Sequence, residues 1–292
     1  MISVYVRISG EVLTCCSAGG IYSTSNDLAK LGRGILRNTL LSPAQRRRWM
    51  KPVAHTSSLT SSVGAPWEIF RVKIPRGVVD LYTKAGDIGV YSSLLVLVPD
   101  YDVGWVILSA GDNLGTALAG AMGFADLITD TFIPAFEAAA KDSAAVTFSG
   151  TYKATNGLNS SIAIATDDSP GLGIQNWISN GTDILAAFLA LNGVTGDRFE
   201  ASVRLYPTNL FQGSPREQAF RAVFEVVPKN TTASTAAAGS GVFSSNCFAW
   251  ASVDGISYGN VAADEFLFHF DEYGSAVSVE PRMLRVTLKK GL

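Results

Sequence analysis

The sequence predicts an α+β protein in two unlike parts: an α/β part over 1–143, then an all-β part over 144–292 that folds as a barrel or a sandwich. Three observations predict it. Two helices with clear start signals lie within 24–50. Two largely apolar runs, 91–98 and 103–108, are joined by Pro99-Asp100-Tyr101-Asp102. After Ser143 the chain becomes short apolar runs punctuated by Gly, Asn, Asp and Thr. Pro and Asp are turn formers and the flanking runs carry β-branched and aromatic residues, so 91–108 reads as an antiparallel hairpin. Few polar residues interrupt either run, as suits strands covered on both faces.

Taken in order, 1–16 reads as a strand that gives way at Ser17-Ala18-Gly19-Gly20. An amphipathic helix then runs to about Leu36. Ser or Thr caps it, Asp27 suits its positive end, and Leu28, Leu31, Ile35 and Leu36 form one stripe. Ser42-Pro43 opens a second helix, serine as N-cap and proline at the first helical position, ending near Met50 and Pro52. Residues 55–64 read as a polar loop, and 67–74 and 78–84 as strands separated by Pro75-Arg76-Gly77. An alanine-rich helix is expected from 114 to about 141, with Leu118, Met122, Leu127 and Ile128 as its inner face. Pro134 either kinks it or starts a second piece. Strands are then expected at 147–153, 160–165, 172–178, 184–191, 198–206, 219–227, 247–253, 265–270, 276–279 and 284–288, with a low-complexity loop at 233–241.

Composition removes several function classes. With 47% hydrophobic and 16% charged residues, the chain builds substantial cores. A formal net charge of −2 gives no electrostatic footprint for nucleic acid, and Arg46-Arg47-Arg48 reads as the solvated end of a short helix. No apolar stretch approaches the roughly 20 residues of a membrane span. Cys15 and Cys16 are adjacent and Cys247 is distant. They make neither a disulfide framework nor a zinc site, and both one bridge to Cys247 and buried free thiols fit. His55 and His269 are isolated, and His269 alternates with Phe268 and Phe270 as a strand residue would. No HExxH, Walker or GxSxG pattern occurs, so neither a metal nor a cofactor is expected, and a Ser-His-Asp triad has little scope. The first residues do not form a convincing signal peptide, since the basic residue comes late and no long apolar core follows.

The chemically suggestive stretch is Lys84-Ala85-Gly86-Asp87, on the strand that precedes the hairpin, with Gly89 close behind. Acyl transfer needs donors aimed at a developing oxyanion, and a cation facing a substrate carboxylate or the proton relay. A strand edge supplies backbone N–H groups, glycine lets a substrate come close, and lysine supplies the charge.

Lys84-Ala85-Gly86 resembles the lysine-glycine motif of the serine β-lactamase and penicillin-binding-protein superfamily. Its context is similar too. Gly19-Gly20-Ile21-Tyr22-Ser23-Thr24, Asp27-Leu28, Leu40-Leu41-Ser42-Pro43, Trp49, Pro52 and Gly64-Ala65-Pro66-Trp67-Glu68 recur in the order of the β-lactamase-related serine hydrolases. Phe148-Ser149-Gly150-Thr151-Tyr152, Pro170-Gly171-Leu172 and Leu205-Tyr206-Pro207-Thr208 resemble the C-terminal domain of a fungal branch. The resemblance implies a partial β-lactamase/transpeptidase-like α/β sandwich followed by the β-rich domain. It also implies amide or ester hydrolysis through a serine acyl-enzyme, with a small-molecule amide or ester as ligand. Lys84 would be the electrostatic element, Gly86 the close-approach residue, and the Asp87 N–H one oxyanion donor. The branch is usually secreted, and the sequons at Asn159, Asn180 and Asn230 point the same way.

The family's nucleophile lies in Ser-x-x-Lys, where a lysine one helical turn on takes the hydroxyl proton. No Ser-x-x-Lys occurs here, and Thr287-Leu288-Lys289-Lys290 lies in the wrong part and order. Tyr258-Gly259-Asn260, Tyr273-Gly274-Ser275 and Tyr91-Ser92-Ser93 fit the letters of the Tyr-x-Asn/Ser motif but not its place. The expectation is a hydrolase-lineage chain shortened at its nucleophile half and inactive. The alternative is a non-catalytic binding or interaction protein that uses the β-rich domain. Substrate and oligomeric state stay open.

Overall fold

A computed structural model describes residues 21–75, 77–113, 115–208, 216–229 and 248–291. The expected strand at 1–16, the three cysteines, Asn230 and the loop at 233–241 lie outside these residues. The fold is α+β, and the chain divides into two compact units, 1–138 and 139–292.

In the first unit, α1 (Ser25–Leu36) starts at Thr24, whose hydroxyl accepts from the Asp27 N–H. Then α2 (Pro43–Trp49) starts in a capping box between Ser42 and Gln45. Six strands follow: β1 (Ala54–His55), β2 (Ser61–Val63), β3 (Glu68–Ile74), β4 (Gly77–Ile88), β5 (Tyr91–Val98) and β6 (Val103–Ala110). They form one antiparallel sheet in chain order. The expected loop at 55–64 therefore holds most of a short hairpin, because Ala54 and His55 pair with Val63 and Ser62. Between β5 and β6 the turn Pro99–Tyr101 ends on Asp102 in the left-handed region, at φ 54°.

Helices cover both faces of the sheet. α3 (Thr116–Phe148) sets Ala121, Ala125 and Ile133 against Val79, Leu81, Leu94, Val96 and Ile107. The expected inner face misplaces Leu127, which is exposed. Ala117, Ala121 and Ala125, at i, i+4 and i+8, are all buried and let the helix axis come close to a sheet already filled by branched side chains. Pro134 sits inside one continuous helix. On the opposite face, Ile35, Leu36 and Met50 pack with Trp67, Ile69 and Leu97. Leu31 points to solvent and Gly32 is buried in its stead, with a Cβ there only 3.0 Å from Leu97. Contact is made by the smallest residue on the stripe.

In the second unit α3 finishes and a barrel begins: β7 (Gly150–Ala154), β8 (Ser161–Ala165), β9 (Leu172–Ser179), β10 (Thr182–Asp183), α4 (Ile184–Leu191), β11 (Phe199–Pro207) and β12 (Glu217–Pro228). Next come α5 (Phe248–Ala251), β13 (Ser257–Tyr258), β14 (Val261–Ala262), β15 (Glu265–Phe270), β16 (Ala276–Pro281) and β17 (Leu288–Lys290). The order β9-β11-β12-β15-β16-β17-β7-β8 closes on itself through β8–β9, so no long edge is left. Tyr152, Trp177, Phe220, Phe266 and Phe268 fill the interior. At one end Phe148 packs edge-on against Phe220 and Phe268, at centroid distances of 5.3 and 5.1 Å.

Three expected strands change. Residues 184–191 form α4, because Ile-Leu-Ala-Ala-Phe-Leu-Ala-Leu favours helix and the Asp183 carboxylate accepts from the Ala186 N–H as N-cap. The expected strand at 247–253 contains α5, and the one at 284–288 shrinks to Leu288–Lys290 after a 3₁₀ turn at Arg282–Leu284. The composition shift after Ser143 reads as a boundary, yet the backbone stays helical through Phe148.

The loop 166–171 is held by one side chain. Arg204 is buried, and its guanidinium forks onto Asp167 at 2.6 and 2.8 Å and donates to the carbonyls of Pro170, Ser169 and Gly171. Burial pushes the Asp167 carboxyl up, but hydrogen bonds from Arg204 and the Ser169 N–H outweigh it and hold the pKa below the ordinary value. A lowered folded-state pKa stabilises the fold above the unfolded value of about 4 and is lost as pH falls through the folded value. Arg204→Met should cost about 2 kcal/mol at pH 7, since Asp167 is partly solvated. Thermal unfolding at pH 7, 4 and 3 should show the parent losing stability in the acid window more steeply than the variant. Parallel acid limbs would mean that the pair contributes nothing.

Candidate active-site strand

The three residues singled out as catalytic all lie on β4, and the sheet register gives their setting. Glu68, the first residue of β3, pairs with Thr83. β4 runs on to Ile88, so among the described residues 84–88 has β5 on one side and no strand opposite on the other. Lysine and glycine therefore sit mid-strand, on a stretch with one open edge.

Backbone direction along that edge follows from the alternation of a strand. The Ala85 N–H points to the open side, where Glu68 Oε2 accepts it at 3.0 Å. Asp87, two residues on, points its N–H the same way. The side chains of Lys84 and the position of Gly86 share the other parity, on the sheet face that carries Tyr82 and Leu95. Gly86 lies opposite Ser93, whose hydroxyl donates to the Gly86 carbonyl at 3.3 Å. A Cβ at Gly86 would come within 2.8 Å of that hydroxyl, so a larger residue there would make the Ser93 side chain turn away. The Asp87 carboxylate is turned to the opposite face, where it accepts from the buried Ser92 hydroxyl.

Lys84 is held in place. Its ammonium donates to Glu68 Oε1 and, at 2.7 Å, to the Ala85 carbonyl. The Glu68 carboxylate thus bridges a cation and an edge amide, the two contacts that an anionic ligand would make there. Glu68 and Ser93 are the residues that sequence reasoning missed. Glu68 ends the Gly-Ala-Pro-Trp-Glu stretch and pairs with Thr83, and its side chain reaches round to Lys84.

Nearby aromatic side chains build a wall. Trp49 and Trp67 lie 4.9 Å apart by ring centroids, and Trp67 meets Tyr82 edge-on at 6.2 Å. Burial, then the carboxylates of Asp80 and Asp100, push the Tyr82 phenol above its ordinary pKa. Tyr82 therefore stays protonated and cannot serve as a base near neutrality.

The remaining motif matches do not assemble. Tyr91 is exposed, while Ser92 and Ser93 are engaged by Asp87 and the Gly86 carbonyl. Tyr258 and Tyr273 are exposed in the second unit. Thr287 donates to Glu280 and Lys290 to the Thr147 carbonyl, so that pair makes no nucleophile and base. His269 stands between Glu217 and Glu280, at 3.3 and 3.2 Å, on the barrel. Among the described residues no group of three or more His, Cys, Asp or Glu is placed to hold a metal ion. No described helix is long and apolar enough to cross a membrane.

Comparison with known proteins gives this strand its context. Residues 140–291 match the family model described as "Beta-lactamase-like-like, C-terminal domain", and 4–128 match the model described as "Beta-lactamase". The "Beta-lactamase-like protein" of Arthroderma benhamiae is 30% identical over 290 residues, covering 91% of this chain and 48% of its own length. The "Probable hydrolase clz13" of Cochliobolus lunatus is 34% identical over 176 residues, 57% of this chain and 27% of that protein. The "Probable hydrolase M10" of a Phoma species is 28% identical over 285 residues, 94% of this chain and 45% of that protein. The chain spans about half the length, or less, of these relatives. With the C-terminal model covering more than half of its residues and the β-lactamase model most of the rest, the chain belongs to the beta-lactamase-like family.

Proposed function

We propose that this chain carries the lysine and oxyanion strand of a serine acyl-hydrolase whose substrates are neutral amides or esters. The open edge of β4 beyond Glu68 is the observation that carries the reading. A carbonyl laid along that edge puts its oxygen at the Asp87 N–H, where negative charge develops as a serine hydroxyl attacks. Lys84 supplies positive potential beside it, and Glu68 supports the restriction to neutral substrates. A carboxylate-bearing ligand would have to displace Glu68 from both Lys84 and Ala85.

The nucleophile's Ser-x-x-Lys is not in this sequence, so the chain alone performs no turnover. Incubation with a fluorophosphonate or a β-lactam should leave the intact mass unchanged. A stoichiometric adduct that Lys84→Ala abolishes would sink the inactivity. A second reading, a non-catalytic binding role for the barrel, is favoured by the same missing motif.

Glu68's role has its own test. In an amide-resolved NMR titration, benzoate should leave the parent spectrum unmoved and shift Ala85 and Asp87 in Glu68→Ala. Equal shifts in both proteins would show that Glu68 guards nothing.

The chain is further proposed to work outside the cytoplasm as a glycoprotein. Its support is the exposure of Asn159 and Asn180, both in Asn-x-Ser/Thr sequons beside turns. Expressed through a eukaryotic secretory route, the protein should lose mass on glycan removal, and Asn159→Gln with Asn180→Gln should remove most of that loss. A parent of bare polypeptide mass would end the argument.

A further inference from the structure

Beyond the hydrolase reading, the barrel has a cavity of about 350 Å³, within the size range of small-molecule sites. Its origin lies in the register. β12 pairs with β15 only as far as Arg221 opposite Glu265, and the last bond on that side runs from the Ala222 N–H to the Asp264 carbonyl. Among the described strands β12 continues to Pro228 beside β11 alone, so the wall parts at this end of the barrel. α4 lies across this end, with Ile184 and Leu185 on the core and Phe188 at 5.3 Å from Phe224. Residues 249–264 form the other lip.

Phe188, Phe224, Val253 and Ile256 make the walls apolar, and Leu191 stands exposed at the mouth. Asp264 lies in the lining with its side chain only 6% exposed. It accepts one bond at each oxygen, from the Asp254 N–H at 3.2 Å and from Arg221 at 3.0 Å. Each carboxylate oxygen has a second lone pair. Arg221 also serves Asp254 at 2.6 Å, so one guanidinium faces two carboxylates and the polar side of the cavity keeps a net negative charge. At the rim the Asn192 side-chain amide donates to the Phe188 carbonyl.

We propose that this cavity binds a small amine with an apolar body. The ammonium donates to Asp264, and the body lies between Phe188, Phe224 and Ile256. Apolar walls take an uncharged body, the Asp264 carboxylate takes a hydrogen-bond donor, and its negative charge selects a cation over an acid of the same shape.

The test is an amide-resolved NMR titration of the whole chain with phenethylamine, and in parallel with 3-phenylpropanoate, which carries a carboxylate on a similar body. Phenethylamine should shift amides within 188–192 and 252–264, and the acid should not. Leu191→Trp, at an exposed position, should fill the mouth and weaken binding about tenfold or more, the scale of a lost apolar fit. Its unfolding temperature should match the parent's, and Ile256→Trp repeats the block from the other lip. Absent shifts, equal response to amine and acid, or shifts that survive both blocked mouths would each overturn the proposal.

Discussion

The unequal lengths of β3 and β4 govern what the first unit can do. β3 enters the sheet at Glu68, opposite Thr83, and β4 carries five residues further with, among the described residues, a neighbouring strand on one side only. Had β3 begun a few residues earlier, its backbone would have consumed the amides of Ala85 and Asp87. No cation beside them could then have made an oxyanion site. An unpaired edge is also a liability, since it invites a foreign strand. Glu68 blunts it with a charged side chain that takes the first free amide and the neighbouring ammonium together.

Sequence reasoning found what residue type announces and missed what register decides. The turn formers around 99–102, the serine and proline at 42–43 and the lysine-glycine pair each carry their conformation or chemistry locally, and they stand where expected. Faces were harder. Counting apolar residues selects Leu31 and Leu127, whereas the sheet is met by Gly32, Ala121 and Ala125. Close approach rewards the small side chain because dispersion falls off within an ångström, and the large residue is left outside. By hydrophobicity alone 184–191 reads as a strand. Its alanines and the Asp183 cap, rather than its hydrophobicity, make it a helix.

The barrel shows the same division. Many short strands are legible and point to a barrel or a sandwich, but the pairing that closes the barrel is not, because β8 meets β9 after one short loop while β17 must return to β7 across the whole domain. Nothing in the local pattern specifies that return. Interior rings do the sorting: Tyr152, Trp177, Phe220, Phe266 and Phe268 share one core that is satisfied only when the sheet closes around them. Arg204 then fixes a loop with five bonds from a single buried guanidinium, two to the Asp167 carboxylate and three to backbone carbonyls.

One device recurs in both units, and its two settings differ in consequence. β4 outruns β3, β12 outruns β15, and at each gap a carboxylate takes one backbone N–H and one cation: Glu68 with Ala85 and Lys84, Asp264 with Asp254 and Arg221. The Glu68 side chain is 38% exposed, so a carboxylate that left its two partners would still be solvated. The Asp264 side chain is 6% exposed, and leaving its partners would strand a charge away from water. A carboxylate that can leave is suited to gate an edge. One that cannot leave is suited to form the fixed floor of a pocket, because its geometry is the same whether or not a ligand is present.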